Sequence, residues 1–189
     1  MNKTLIIVLV AILLIVGIPA LMIVGSYNNL VSLDEEVNGA WAQVENQLKR
    51  RTDLIPNLVE TVKGFAQQEE DILVGVTEAR SRVVAADSPE ESANANAQLT
   101  SALQGLNVVV ERYPELKSNE NFIRLQDELA GTENRIAVAR KDYNDAAQTL
   151  NSKIRRFPTN IAAGIFGIDR REYFEVSEED QEVPDVNFE

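Results

Sequence analysis

Residues 47–65 read QLKRRTDLIPNLVETVKGF: two arginines, an aspartate and a proline inside an otherwise regular helical pattern. If the chain turns here it makes four helices of comparable length. If it continues, it makes three, the first very long. For a turn, Asp53 can cap a new helix and Pro56 then falls in the first turn, where proline is tolerated. For continuation, the heptad pattern keeps its phase across Pro56, as in one helix bent by proline.

That pattern extends well beyond the stretch. One seam of seven-residue spacing runs Leu30, Val37, Val44, Arg51, Leu58, Phe65, Ile72 and Ala79. A second runs Trp41, Leu48, Ile55, Val62, Glu69, Val76 and Val83. Both are faces of packed helices. Ser88-Pro89-Glu90-Glu91 then offers an N-cap serine, a proline at the first helical position and a glutamate three after the cap. The helix starting there carries Leu99, Leu103, Leu106, Val110 and Tyr113, and Pro114 ends it. After Ser118, Phe122, Leu129, Ile136, Tyr143, Leu150 and Phe157 recur every seven residues, flanked by Leu125, Ala139 and Ala146, up to Pro158. Stripes of this kind are core. A break near Thr52 makes the helix lengths match each other, whereas one helix from 27 to 86 would be about 90 Å long.

Composition excludes much chemistry. The 189 residues contain neither cysteine nor histidine. Disulfides, thiolate nucleophiles and metal sites, imidazole bases and haem or zinc ligation therefore have no residues to use. The net charge of −12 makes a poor nucleic-acid binder.

Lys3 is the only charged side chain before Asp34. Between them, Leu5 to Val24 is an uncharged apolar run, which at about 1.5 Å per residue matches a hydrocarbon core of roughly 30 Å. It is longer than the apolar core of about 7–15 residues in a cleaved signal peptide. A transmembrane helix is expected, with Gly17 and Pro19 tolerated inside it. Lys3 and the α-amino group on one side, against Asp34, Glu35 and Glu36 on the other, favour a cytoplasmic N-terminus and an external domain.

The chain thus divides into a short tail and anchor (1–26), a helical bundle (27–157), an apolar segment after it (158–171) and an acidic tail (172–189) expected to be disordered. The segment Asn160 to Ile168 is too short to span a bilayer. With the preceding helix returning towards the membrane, Ile161, Ile165, Phe166 and Ile168 are candidates for a membrane or subunit contact.

The residues YNNLVSLDEEV, AWAQVENQLKRRTDLIPNLVETVKGF, VTEAR and FPTNIAAGIFGI resemble the LemA family across nearly the whole chain. The resemblance implies a bacterial membrane-anchored protein with an antiparallel helical bundle, usually of four helices, and no established enzymatic activity. Some relatives carry a lipidated cysteine before the Tyr-Asn start of the bundle. Gly25 and Ser26 stand there instead. The resemblance favours the turn at Thr52–Asp53. The expected fold is therefore all-α: a transmembrane helix followed by an antiparallel four-helix bundle, the alternative being three long helices with the first kinked at Pro56.

Arg51 lies on a seam and needs a partner such as Asp53, Glu69, Asp127 or Glu128, because an unpaired buried charge is costly. One reading makes Asp53 and Pro56 a structural corner pinned by the arginines. The other makes Arg50 and Arg51 a fork for an anion or a partner. Glu69, Glu70 and Asp71 are consecutive, point different ways and do not form a cation site. No catalytic, cofactor-binding or metal-binding residue stands out. The expected function is a non-enzymatic, single-pass scaffold or adaptor of the bacterial cell membrane. Its partners would be the lipid bilayer and either copies of itself or another envelope protein, with no nucleic acid. The alternative is a sensor that binds an anionic ligand or lipid headgroup through Arg50 and Arg51.

Overall fold

The structure is a computed structural model that describes residues 3–175. Among these residues it is all-helical, in six elements: α1 (Lys3–Lys63), α2 (Glu70–Ala85), α3 (Pro89–Arg112), α4 (Pro114–Lys117), α5 (Glu120–Ile154) and α6 (Thr159–Phe166). They contain no strand. The tail expected over 172–189 lies outside the described residues from 176 on. Of its first four residues, Phe174 is buried.

The all-helical expectation holds, and the expected turn does not form. Residues 52–56 lie inside α1, a single helix of 61 residues, and the chain turns instead over 64–69. The physical reason lies one helix away. Pro56 has no amide to offer the carbonyl of Thr52, the bond a helix interior requires. Arg80 Nε on α2 donates to that carbonyl at 2.8 Å. With the freed acceptor satisfied, the helix has no need to break, and Asp53 sits mid-helix in an exposed i,i+4 pair with Lys49. The long-helix alternative is right that the helix continues through Pro56 and wrong further on, because it carries the first helix on to residue 86. Phe65 is exposed, out of the seam it was expected to continue.

The other boundaries follow local chemistry. Ser88 caps α3: its hydroxyl accepts from the Glu91 amide at 3.2 Å, with Pro89 at the first helical position. Glu91 closes the motif on the Asp87 amide at 3.1 Å. Pro114 ends α3 and opens the short α4. The cap of α5 is Asn119, with its Oδ1 accepting from the Phe122 amide at 3.1 Å. Gly167 ends α6 in the left-handed region (φ +67°), where glycine carries no Cβ penalty.

The chain separates into two compact units, Met1–Ala42 with Lys141–Arg171 and Gln43–Arg140 with Glu172–Glu189. α1 and α5 contribute to both.

In the first unit, Leu30 and Val37 of α1, Tyr143, Ala147 and Leu150 of α5, and Ala162 and Ala163 of α6 are buried. The rings of Trp41 and Tyr143 meet edge to face, centroids 5.7 Å apart. Asn151 exchanges two bonds of 2.8 Å with the Arg171 backbone. The Arg171 guanidinium reaches Asp34 at 2.8 Å and Asn38 at 3.1 Å. The chain leaving α6 is thereby tied to both long helices.

In the second unit, α2 and α3 run antiparallel, as Arg82 to Gln98 at 2.6 Å and Arg112 to Glu69 at 3.1 Å show. Its buried apolar residues include Leu48, Ile55, Leu58 and Val62 of α1, Val76 of α2, Leu99 and Leu106 of α3, and Phe122 and Ile136 of α5. Burying a side chain of this size stabilises by about 1.5–3 kcal/mol, and the heptad spacing brings each of them to a shared face.

Candidate functional site

The 47–65 stretch places its two arginines in opposite environments. Arg50 is exposed and Arg51 is only 3% exposed. They do not combine into one fork. Successive helical residues point about 100° apart, so one arginine on the seam leaves the next off it.

Arg51 is the centre of a buried polar cluster. Nη1 donates to Asn96 Oδ1 at 2.6 Å and Nη2 to Thr100 Oγ1 at 3.1 Å, both on α3. Its ion-pair partner is Glu133 on α5, not one of the four carboxylates expected. Glu133 lies off the seam of α5, so heptad bookkeeping does not single it out. Asn96 sits on the same face of α3 as Leu99 and Leu106, and an asparagine among heptad leucines is the only trace of this contact in the sequence.

The charge of the same carboxylate also acts on a second guanidinium, that of Arg140. Burial holds the pKa of Arg140 below the usual arginine range, Glu133 works against that shift, and the like charge of Arg51 adds to it. Arg51 is lowered by the same desolvation, opposed by its contact with Glu133. Arg140 lies over the Phe174 ring, 5.2 Å from its centroid, so a π-face stands where a second carboxylate would otherwise be needed. This arrangement makes a specific, charged internal junction of α1, α3 and α5. The Nη1 and Nη2 donors of Arg51 are directed inward at protein acceptors, whereas its Nε and the Nε and Nη2 of Arg140 are buried with no hydrogen-bond partner among the described residues.

Beside it, a groove of about 270 Å³ is lined by Leu48, Lys49, Thr52, Asp53, Arg80 and Ser92, among others. Here Asp53 and Arg80 share a wall, which no spacing in the sequence announced. Among the described residues no group of three or more acidic side chains converges to hold a metal ion.

The remaining candidates are on α6 and, for Ile168, just after it. Ile161, Ile165 and Phe166 are exposed and Ile168 is half-buried, while the small Ala162 and Ala163 face inward. The Phe166 ring lies against Tyr27 of α1, centroids 4.2 Å apart. Among the described residues one helix, α1, is long and apolar enough to cross a membrane. Its apolar window has a mean hydropathy of 1.7 and is not buried by the protein.

Comparison with known proteins agrees with these features. The model of the LemA family matches residues 40–188. Magnetosome protein MamQ 2 of Paramagnetospirillum magneticum is 30% identical over 175 residues, covering 79% of this chain and 64% of that protein. Protein LemA of Metamycoplasma hominis is 28% identical over 167 residues, covering 88% of this chain and 76% of that protein. Magnetosome protein MamQ of Magnetospirillum gryphiswaldense is 27% identical over 174 residues, with 78% and 64% covered. The chain therefore spans less than two thirds of the length of the MamQ relatives it matches.

Proposed function

The chain belongs to the LemA family, and from that premise we propose that it is a non-enzymatic, single-pass membrane scaffold whose helical body holds a second protein, or a copy of itself, at a bacterial cell membrane. The observation that carries this reading is α1. The apolar run from Leu5 to Val24 and the core positions Leu30 to Val62 belong to one unbroken helix. An anchor joined to its cargo-bearing body without a loop transmits position, which is what a scaffold needs and a tethered enzyme does not. The absence of histidine and cysteine, and the inward direction of the donors on Arg51, are consistent with this role.

The scaffold needs a surface, and α2, α3 and α5 supply exposed Val84, Val108 and Val138. A photo-crosslinking residue at Val108 or Val138 of the full chain in native membranes is expected to give discrete adducts of higher mass. Monomer alone at both positions would contradict the proposal.

We place the N-terminus in the cytoplasm and the helical body outside, from Lys3 against Asp34 to Glu36. With Glu128→Cys as the sole cysteine, an impermeant maleimide is expected to label intact cells. Labelling only after lysis would reverse the orientation.

A further inference from the structure

We propose that α6 is a second membrane contact: an interfacial helix that lies on an anionic bilayer surface beside the transmembrane anchor. This rests on the reading of Leu5 to Val24 as a span, and it adds a site to it.

The packing of α6 is inverted for a helix facing water. Ala162 and Ala163 are turned inward and buried, while Ile161 (43% exposed), Ile165 (62%) and Phe166 (46%) are turned outward. Phe157, just before the helix, is 79% exposed. A water-facing helix of a small domain buries its large apolar side chains and exposes the small ones. The reverse, concentrated in one eight-residue helix, calls for an apolar cover.

Position identifies the cover. Phe166 packs against Tyr27, three residues past the apolar run and so about 4.5 Å beyond its end along the helix. That depth is the headgroup layer, where tyrosine rings concentrate. α6 is also held in place rather than tethered. Asn151 and Asp34 fix Arg171 after it, and the Gly167 cap turns the chain so that the Ile168 amide bonds back to Ala163.

Charge supports the same partner. In a chain of net charge −12, residues 153–171 hold five cations and one acid, Asp169. Arg171 is engaged with Asp34, whereas Arg155, Arg156 and Arg170 are exposed and form no ion pair among the described residues. A short apolar face flanked by free arginines fits an anionic headgroup layer, with the apolar residues entering the acyl boundary and the guanidiniums at phosphate level.

The cysteine-free chain permits a direct test. Ile165→Cys carrying an environment-sensitive NBD fluorophore is placed in the full chain in nanodiscs of phosphatidylglycerol and phosphatidylcholine, with shallow doxyl-labelled lipid as quencher. Leu14→Cys and Glu128→Cys serve as comparators.

The expected result is that the 165 probe loses about half its emission or more to the shallow label, as an interfacial depth of roughly 5–10 Å requires, that the 14 probe, at mid-span, loses a smaller but measurable share, and that the 128 probe is unaffected. Arg155→Glu with Arg156→Glu is expected to weaken quenching at 165 and leave it unchanged at 14. Quenching at 14 with none at 165 would overturn the interfacial helix and leave the anchor standing. A probe at 165 that is shielded from water, insensitive to the lipid quencher and close to its own copies would mean that a second chain covers the face, which also overturns the proposal. Loss of quenching at both positions would remove the anchor and this inference with it.

Discussion

Arg51 shows how a residue that looks functional in sequence can be an internal tie. Its guanidinium sits where a seam hydrophobe would be, and three partners on two other helices accept its protons. Breaking a buried pair by removing one partner costs roughly 3–5 kcal/mol. Glu133 keeps 42% of its side chain exposed and can rehydrate, so for Arg51→Met we expect a smaller loss of about 2–3 kcal/mol. Glu133→Gln is expected to cost less, because Asn96 and Thr100 remain as acceptors. Chemical denaturation followed by circular dichroism reads both. Equal, negligible losses would remove the cluster from the account of stability. The seam position of Arg51 foretold burial. The identity of its carboxylate was not legible, because Glu133 is 82 residues away and lies off any apolar stripe.

At the scale of the element, the decisive contact is again made by an arginine. The expected corner at Asp53 and Pro56 weighed a proline against a heptad phase, and the phase was the better guide as far as Val62. What the sequence could not display is that Arg80 Nε occupies the carbonyl Pro56 leaves free, since such a donor can come from anywhere in the chain. Where the donor is supplied, proline need not end a helix. Phase alone then misled in the other direction: Val62, Val76 and Val83 stay in register although the chain turns over 64–69 between them. A double-mutant cycle tests the compensation. Arg80→Met is expected to cost about 1–2 kcal/mol in the natural background, the penalty of an unsatisfied buried acceptor. It is expected to cost clearly less in Pro56→Ala, where the restored amide bonds Thr52 from within the helix. Additive effects would show that Arg80 acts elsewhere. The signals at Ser88-Pro89 and Pro114 were legible because caps and breakers act within four residues. Those at 64–69 were not, since Gly64 is the only strong breaker there.

At the scale of the whole molecule, α1 makes the apolar N-terminal run and the core-forming stretch one element in a chain that belongs to the LemA family. The apolar run was plain from residue 5 onward, because hydrocarbon thickness sets a length that few other structures need. The face of α6 was legible as apolar and not as inverted, since its orientation depends on which side meets α1 and α5.

The most direct test of the account is a spin-label scan along α1, from Leu9 to Glu60 one cysteine at a time, in the full chain reconstituted in nanodiscs. Accessibility to oxygen and to a water-soluble nickel chelate is recorded at each site. The account predicts one uninterrupted period of about 3.6 residues through Tyr27 and through Pro56, with oxygen favoured up to Val24 and nickel favoured beyond Tyr27. A lost period at 25–30 would separate anchor from body, a lost period at 52–56 would restore the corner, and the absence of an oxygen-favoured segment would contradict the membrane anchor itself.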